Sequence, residues 1–300
     1  MRRYGLEGPE AVIVTAARTP IGRAVKGSLT RVRPDDLAAG VITAALAKVD
    51  ALDPRTLDDI YVGCAEPRDE QGGNMARRIA VQLGLDNVSA ATINRFCASS
   101  VQTARMAFHA IRSGEGHAFV SAGVECVSRY RGFGSAGVDP VETHNPVFAT
   151  AEQRSLDTAL SNQTWHDPRE DAVLPDIYIA MGQTAENVAT LRGISRAEQD
   201  EFGVRSQNLA EKAIANRIFD AEIAPVTLPD GTVVSADDGP RPGTTMEAVS
   251  ALKPAFRPNG TVTAGNCCPL NDGAAAVVIM SDRRAAELGL TPLARIVATV

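Results

Sequence analysis

The sequence has no long apolar run. Its longest purely apolar stretch is Ala274–Met280, far short of the roughly 20 residues that a membrane-spanning helix needs. Arg2 and Arg3 are followed by Tyr-Gly-Leu-Glu-Gly-Pro and not by an apolar segment, so no secretory leader is read. Basic residues are not in excess. Thirty Lys and Arg against 36 Asp and Glu leave a formal charge of −6, which argues against a nucleic-acid surface, because phosphate binding needs clustered Lys and Arg. Cysteine is sparse and odd in number: Cys64, Cys97, Cys126, Cys267 and Cys268, with no C-x-x-C and no Cys/His ligand spacing. That excludes a zinc ribbon and a disulfide framework, and leaves reduced thiols in a cytoplasmic protein. No metal, membrane or nucleic-acid partner is expected.

What remains is material for a globular core: 44% hydrophobic and 22% charged residues, the ordinary balance for such a chain. At roughly 150 residues per domain, 300 residues suggest two domains, or one with a large insertion. Ala11–Ala16 is a β-branched apolar run that reads as a buried strand. Pro34 then opens a helix with Leu37, Val41, Ala44 and Ala45 on one face. Ile60–Cys64 reads as a strand, 76–83 as a helix stopped at Gly84, and Ala90–Asn94 as a third strand. Val101, Ala104, Phe108 and Ile111 fall at helical spacing, which predicts a helix over 99–113 ending at Gly114. His117–Gly123 is a fourth strand. The alternation predicts an α/β fold with a mostly parallel sheet covered by helices.

The pattern breaks after residue 128. Residues 129–175 lack periodicity, helices follow near 182–192 and 195–216, and 225–262 is rich in turn signals. Ser195-Arg196-Ala197-Glu198 predicts a capping box. Strand character returns at 274–281 and again at 293–300. The expected organisation is an α/β domain of 1–128 with 263–291, an inserted loop domain of 129–262, and 292–300 as the first strand of a further domain, so that the chain reads as truncated.

Cys97 stands where a predicted strand turns into a predicted helix. Unpaired amides and the positive end of a helix dipole stabilise a thiolate there and can hold a developing oxyanion. By position alone, Cys97 reads either as a nucleophile or as an inert buried thiol packing like a small hydrophobe. The four histidines offer no partner. His109 lies about three turns along the following helix, His117 opens a strand, and His144 and His166 fall in the insertion. Glu125 and Arg129 follow the fourth strand without a catalytic signature.

Four blocks occur together: A-R-T-P-I-G-R (17–23), N-R-F-C-A-S-S (94–100), A-M-G-Q-T-A-E-N-V-A (180–189) and G-T-V-T-A-G-N-C-C-P-L-N-D-G-A-A-A (260–276). In this order they resemble the thiolase family, over nearly the whole chain. The resemblance implies a thiolase-like N-terminal α/β half with an inserted loop domain, the second half being largely missing. It implies an acyl-CoA C-acyltransferase that cleaves 3-ketoacyl-CoA with CoA or condenses two acetyl-CoA. Cys97 matches the acylated cysteine. Met181 matches the segment lining the pantetheine path, although Ala180 stands where many relatives carry His. Ala264, Gly265 and Cys268 match the pantetheine loop, Cys268 replacing a common Ser. Arg241 matches an Arg at the nucleotide end of CoA, and a solvated loop Arg is the other reading. CoA and acyl-CoA are expected as substrates, with no permanent cofactor, in a homodimer or dimer of dimers. The family's G-H-P and C-x-G-G blocks do not occur here: no His precedes Pro and no Cys follows Cys268. The resemblance therefore implies that these 300 residues alone lack a full catalytic cycle. A decarboxylating condensing enzyme and a non-catalytic CoA-binding half are the alternatives.

Overall fold

A computed structural model describes residues 8–129, 144–161 and 164–299. In chain order the strands are β1 (Ala11–Arg18), β2 (Gly22–Arg23), β3 (Asp59–Gly63), β4 (Ser89–Ile93), β5 (Ala118–Cys126), β6 (Val226–Thr227), β7 (Val233–Val234), β8 (Asn271–Ser281) and β9 (Ala294–Arg295). The helices are α1 (Pro34–Leu46), α2 (Met75–Gln82), α3 (Ser99–Ser113), α4 (Ala149–Ser161), α5 (Met181–Arg192), α6 (Arg196–Ala215), α7 (Met246–Ser250) and α8 (Asp282–Glu287). No helix among the described residues is long and apolar enough to cross a membrane.

The chain divides into two compact units: 1–130 with 219–239 and 270–300, and 131–218 with 240–269. The first unit is built on a mixed sheet in the order β4-β3-β5-β8-β1-β9, with β2 against β8. β4, β3, β5 and β1 run one way and β8 runs against its neighbours β5 and β1. β5 lies mid-sheet and is buried along almost its whole length, as a continuous apolar strand covered on both faces should be. Its alternate residues separate two cores. Val120, Ala122 and Val124 join Leu37, Val41 and Ile42 of α1 and Ile79 of α2, while Phe119 joins Ala107 and Ile111 of α3. Of the run 293–300, two residues form β9 on the edge beside β1; Val300 lies outside the described residues.

Residues 219–239 sit in sequence between parts of the second unit but belong to the first. The guanidinium of Arg18 explains the attachment: it donates to both oxygens of Asp237 at 2.7 and 3.0 Å and to Glu222 at 2.7 Å. Asp237 also accepts from the Ile21 amide at 2.8 Å, and Asp238 accepts from the amides of Arg23 and Ser28. The A-R-T-P-I-G-R block therefore anchors a distant segment, with a bidentate Arg–carboxylate pair at its centre.

In the second unit α6 starts at the predicted capping box. Ser195 accepts from the Glu198 amide and Glu198 from the Ser195 amide. Ser195→Ala is expected to lower stability by about 1 kcal/mol, read as a drop in the urea midpoint of the second unit. An unchanged midpoint would mean that the cap contributes nothing there. α4 occupies part of 129–175, where the sequence gives no periodic signal. Only Ala151 and Ala159 of this helix are buried, so no large apolar residue marks its turns.

Candidate active site

Cys97 lies in a short 3-10 turn, Phe96–Ala98, two residues ahead of the first residue of α3. The turn is assembled from side chains close in sequence. Asn94 Oδ1 accepts from the Phe96 amide at 2.9 Å, and Ser99 Oγ accepts from the Arg95 amide at 2.9 Å while donating to the Phe96 carbonyl at 2.6 Å. Phe96 is held at φ +47°, a conformation that a residue with Cβ adopts only under constraint from its surroundings. Such strain immediately before a thiol is a mark of a built site.

The approach of α3 to the sheet is graded by side-chain size. Along the face of β5 that meets α3, Phe119 packs with Ile111 at the far end of the helix. Ser121 follows, its hydroxyl 2.8 Å from that of Thr103. Thr103 donates to the Ser100 carbonyl at 2.9 Å, so Ser121 is the donor to Thr103. Gly123 is last, and a Cβ there would lie 1.9 Å from Ser100 Oγ. β3 repeats the gradient with Tyr61 and Gly63. A Cβ on Gly63 would sit 2.7 Å from the Ser100 amide nitrogen and 2.7 Å from the Ser99 carbonyl carbon. Gly63 at the carboxyl end of β3 and Gly123, its partner on the adjacent parallel strand β5, thus let the start of α3 touch the sheet. The thiol is thereby placed at the end of an α/β sheet where ligands bind.

Beside this turn lies a half-buried polar support. Glu125 accepts from the Ala65 amide at 2.7 Å and from Gln71 Nε2 at 2.8 Å, and Gln71 Oε1 accepts from the Cys126 amide at 2.8 Å. The Ala65 carbonyl in turn accepts from Asn94 Nδ2 at 3.0 Å. Glu125 is thereby linked through residue 65 to the side chain that holds Phe96. Sequence reasoning left Glu125 without a role, since its partners lie some sixty residues away.

The cysteines divide sharply. Cys97, Cys267 and Cys268 are exposed; Cys64 and Cys126 are buried. Burial, reinforced by nearby carboxylates, pushes the Cys64 and Cys126 thiols far above their ordinary range, which makes them inert at neutral pH. The histidines are occupied elsewhere: His109 beside Arg105, His117 against Ser281, His144 with Glu152 and His166 with Asp171. No group of three or more His, Cys, Asp or Glu suited to a metal occurs among the described residues.

Met181, Arg241, Ala264, Gly265 and Cys268 all belong to the second unit, and Cys97 to the first. Met181 opens α5 and is 73% exposed. The Arg241 amide donates to Gln207 at 2.8 Å and the residue is exposed, with no ion pair on its guanidinium among the described residues. Ala264 and Cys268 are exposed. Gly265 is wedged: a Cβ on it would meet Val249 and Leu252 at 2.8 Å, and a Cβ on Gly203 of α6 would lie 2.5 Å from its carbonyl oxygen.

The polar residues of the 180–189 block, which the sequence leaves unassigned, fix this loop. The buried Glu186 carboxylate accepts from the amides of Thr261 and Val262 at 2.9 Å and from the Thr261 hydroxyl at 3.0 Å. Gln183 and Asn187 receive the buried Arg257 guanidinium at 2.7 and 2.5 Å. Asn266 donates to Asp200 and to the Thr261 carbonyl, both at 2.9 Å, and accepts from the Thr263 amide at 2.8 Å. Glu186→Ala would strand two buried amides, so a loss of about 3 kcal/mol is expected, with faster hydrogen exchange at the Thr261 and Val262 amides. Unaltered exchange there would show that the carboxylate does not hold the loop.

Comparison with known proteins gives the same direction. The family model described as "Thiolase, N-terminal domain" matches residues 11–283. A 3-ketoacyl-CoA thiolase of Bacillus subtilis is 40% identical over 301 residues, spanning 95% of this chain and 69% of the relative. The 3-oxoadipyl-CoA/3-oxo-5,6-dehydrosuberyl-CoA thiolase of Escherichia coli is 39% identical over 295 residues, 96% of this chain and 70% of the relative. Among solved structures, the acetyl-CoA acetyltransferase of Bacillus anthracis superposes with a TM-score of 0.79 at 35% identity, over 97% of this chain and 70% of that one. Human mitochondrial 3-ketoacyl-CoA thiolase, in complex with CoA, gives 0.76 at 28% identity, over 96% and 69%. With an exposed cysteine on a strained turn at the mouth of an α/β sheet, and with relatives of one kind along nearly its whole length, this chain belongs to the thiolase family of acyl-CoA C-acyltransferases.

Proposed function

We propose that Cys97 is the residue that carries the acyl group, and that Met181, Arg241, Ala264, Gly265 and Cys268 contact CoA. The observation that carries the first part is the exposure of Cys97 on its braced turn while Cys64 and Cys126 are buried. The sulfur attacks the thioester carbonyl of acyl-CoA. The bond from that carbonyl to the CoA sulfur breaks, and CoA leaves as its thiol with a proton. One thioester replaces another, so the exchange is nearly balanced, and a thiolate is both a good nucleophile and a good leaving group. Ala264, Gly265 and Cys268 sit on a loop anchored at Thr261, Thr263 and Asn266, a rigid wall suited to a thin flexible pantetheine arm. The polarizable Met181 side chain suits the same arm, and the Arg241 guanidinium suits its phosphates.

Acyl-CoA and CoA are read as substrates, with no permanent cofactor. The family match does not favour a decarboxylating condensing enzyme. We place the protein in the cytoplasm and read it as a homodimer or dimer of dimers; β4, on the edge of the sheet, would suit strand addition, and sedimentation checks the assembly. The organisation proposed is an α/β domain with an inserted CoA-binding loop domain.

The test is incubation of the 300-residue chain with acetyl-CoA, followed by peptide mass mapping and measurement of released CoA. The expected result is one acetyl group, on Cys97, one CoA released per chain and no sustained turnover, since His109 and His117 of the same unit are engaged with Arg105 and Ser281. Acetyl on Cys267 or Cys268 would remove Cys97 from its role. Sustained turnover by the 300 residues would refute the single-turnover expectation.

A further inference from the structure

Cys267 and Cys268 are consecutive, exposed and free, and the proposed acyl transfer leaves Cys267 without a task. Their base is rigid. The Cys267 amide donates to the Thr263 carbonyl at 3.1 Å, and Asn266 is tied to Asp200 and Thr261. Two chemistries are open to adjacent thiols, and geometry separates them. A disulfide needs Cα atoms about 4.4–6.8 Å apart, whereas neighbours across a trans peptide stand about 3.8 Å apart. Direct closure of a sulfur–sulfur bond is therefore disfavoured, while a third atom between the sulfurs relieves the constraint. A hard or four-coordinate metal is also disfavoured, because no third His, Cys, Asp or Glu completes a set among the described residues. A thiophilic centre satisfied by two sulfurs fits both conditions.

We propose that Cys267 and Cys268 form a dithiol site for trivalent organoarsenicals. With an arsenoxide of the form R–As=O, two As–S bonds form, both S–H bonds and the arsenic–oxygen bond break, and the oxygen leaves as water carrying the two thiol protons. Arsenic remains trivalent, so no oxidant or reductant is needed. Partial burial of the sulfur, together with the neighbouring Cys268, raises the Cys267 thiol above its ordinary range. The inference goes beyond the acyl-transfer reading. Its consequence rests on that reading: an arsenical seated on Cys268 occupies the proposed pantetheine loop and excludes CoA.

The test uses the full 300-residue chain with phenylarsine oxide at neutral pH, read by intact mass and by peptide mapping of iodoacetamide protection. The expected result is one phenylarsenic group per chain, protection of Cys267 and Cys268 together, and release by 2,3-dimercaptopropanol. Cys267→Ser and Cys268→Ser should each weaken capture at least tenfold, and Cys97→Ser should leave it unchanged. Protection mapping on the unaltered chain decides the matter even if a variant folds poorly. No adduct, or an adduct that protects Cys64, Cys97 or Cys126 instead, would overturn the proposal. An adduct on Cys267 and Cys268 that leaves CoA binding to the chain unchanged would keep this site and remove the pantetheine reading.

Discussion

Cys97→Ser is expected to slow acetyl transfer from acetyl-CoA to the chain by at least about a thousandfold. A free cysteine is a few per cent thiolate at neutral pH and strongly nucleophilic as such, whereas a serine hydroxyl needs an adjacent base. The described residues offer none at this turn: His109, His117, His144 and His166 are all engaged elsewhere. The exchanged atom is one sulfur for one oxygen on an exposed turn, so stability should move by less than about 0.5 kcal/mol. Rapid-quench mass spectrometry gives the acylation rate and urea unfolding gives the stability. Comparable labelling of the variant would place the acyl group on another residue.

Gly63→Ala is the second large effect, and it separates geometry from chemistry. The new methyl would meet the backbone of Ser99 and Ser100, all three nearest atoms lying at 2.7 to 3.0 Å. Backbone cannot turn aside as a side chain can, so the start of α3 must lift from β3. A cost of about 3 kcal/mol is expected from overpacking, with acylation at Cys97 falling more than tenfold because the turn shifts. Gly123→Ala provides the contrast. Its nearest obstacle is Ser100 Oγ, on an exposed residue whose hydroxyl can rotate away, so its loss should be clearly smaller. Equal penalties for the two substitutions would contradict the view that backbone contact sets the position of α3.

Much of this was legible in the sequence, and the reasons are local. α3 shows its extent and its stop at Gly114, which takes φ +80°, although Val101 of the expected apolar period is exposed and the buried face runs through Ser99, Thr103, Ala107, Ala110 and Ile111. The capping box at Ser195 and Glu198 is likewise a statement about neighbours. Cys97 could be placed at a strand–helix junction because both flanking elements announce themselves. The strained 3-10 turn itself could not be read, because it depends on Asn94, Ser99 and the two glycines acting together. What escaped sequence reasoning is held by partners far apart along the chain. Arg18 finds Asp237, Gln71 finds Glu125, and Glu186 finds Thr261. A carboxylate in a sequence carries no mark of which amide it will meet. Glycine tolerance belongs to the same class: Gly63 looks like any strand glycine until the helix it admits is in place.

The order of strands has a consequence for how the molecule is made. β5 ends at Cys126, yet the strand that joins it to β1 begins at Asn271. A nascent chain leaving the ribosome therefore carries both apolar faces of the sheet with an open seam down the middle. That seam cannot close until residue 281 has emerged. Such late, long-range pairing is slow and leaves edges exposed meanwhile, which makes this unit a natural client for chaperones during synthesis.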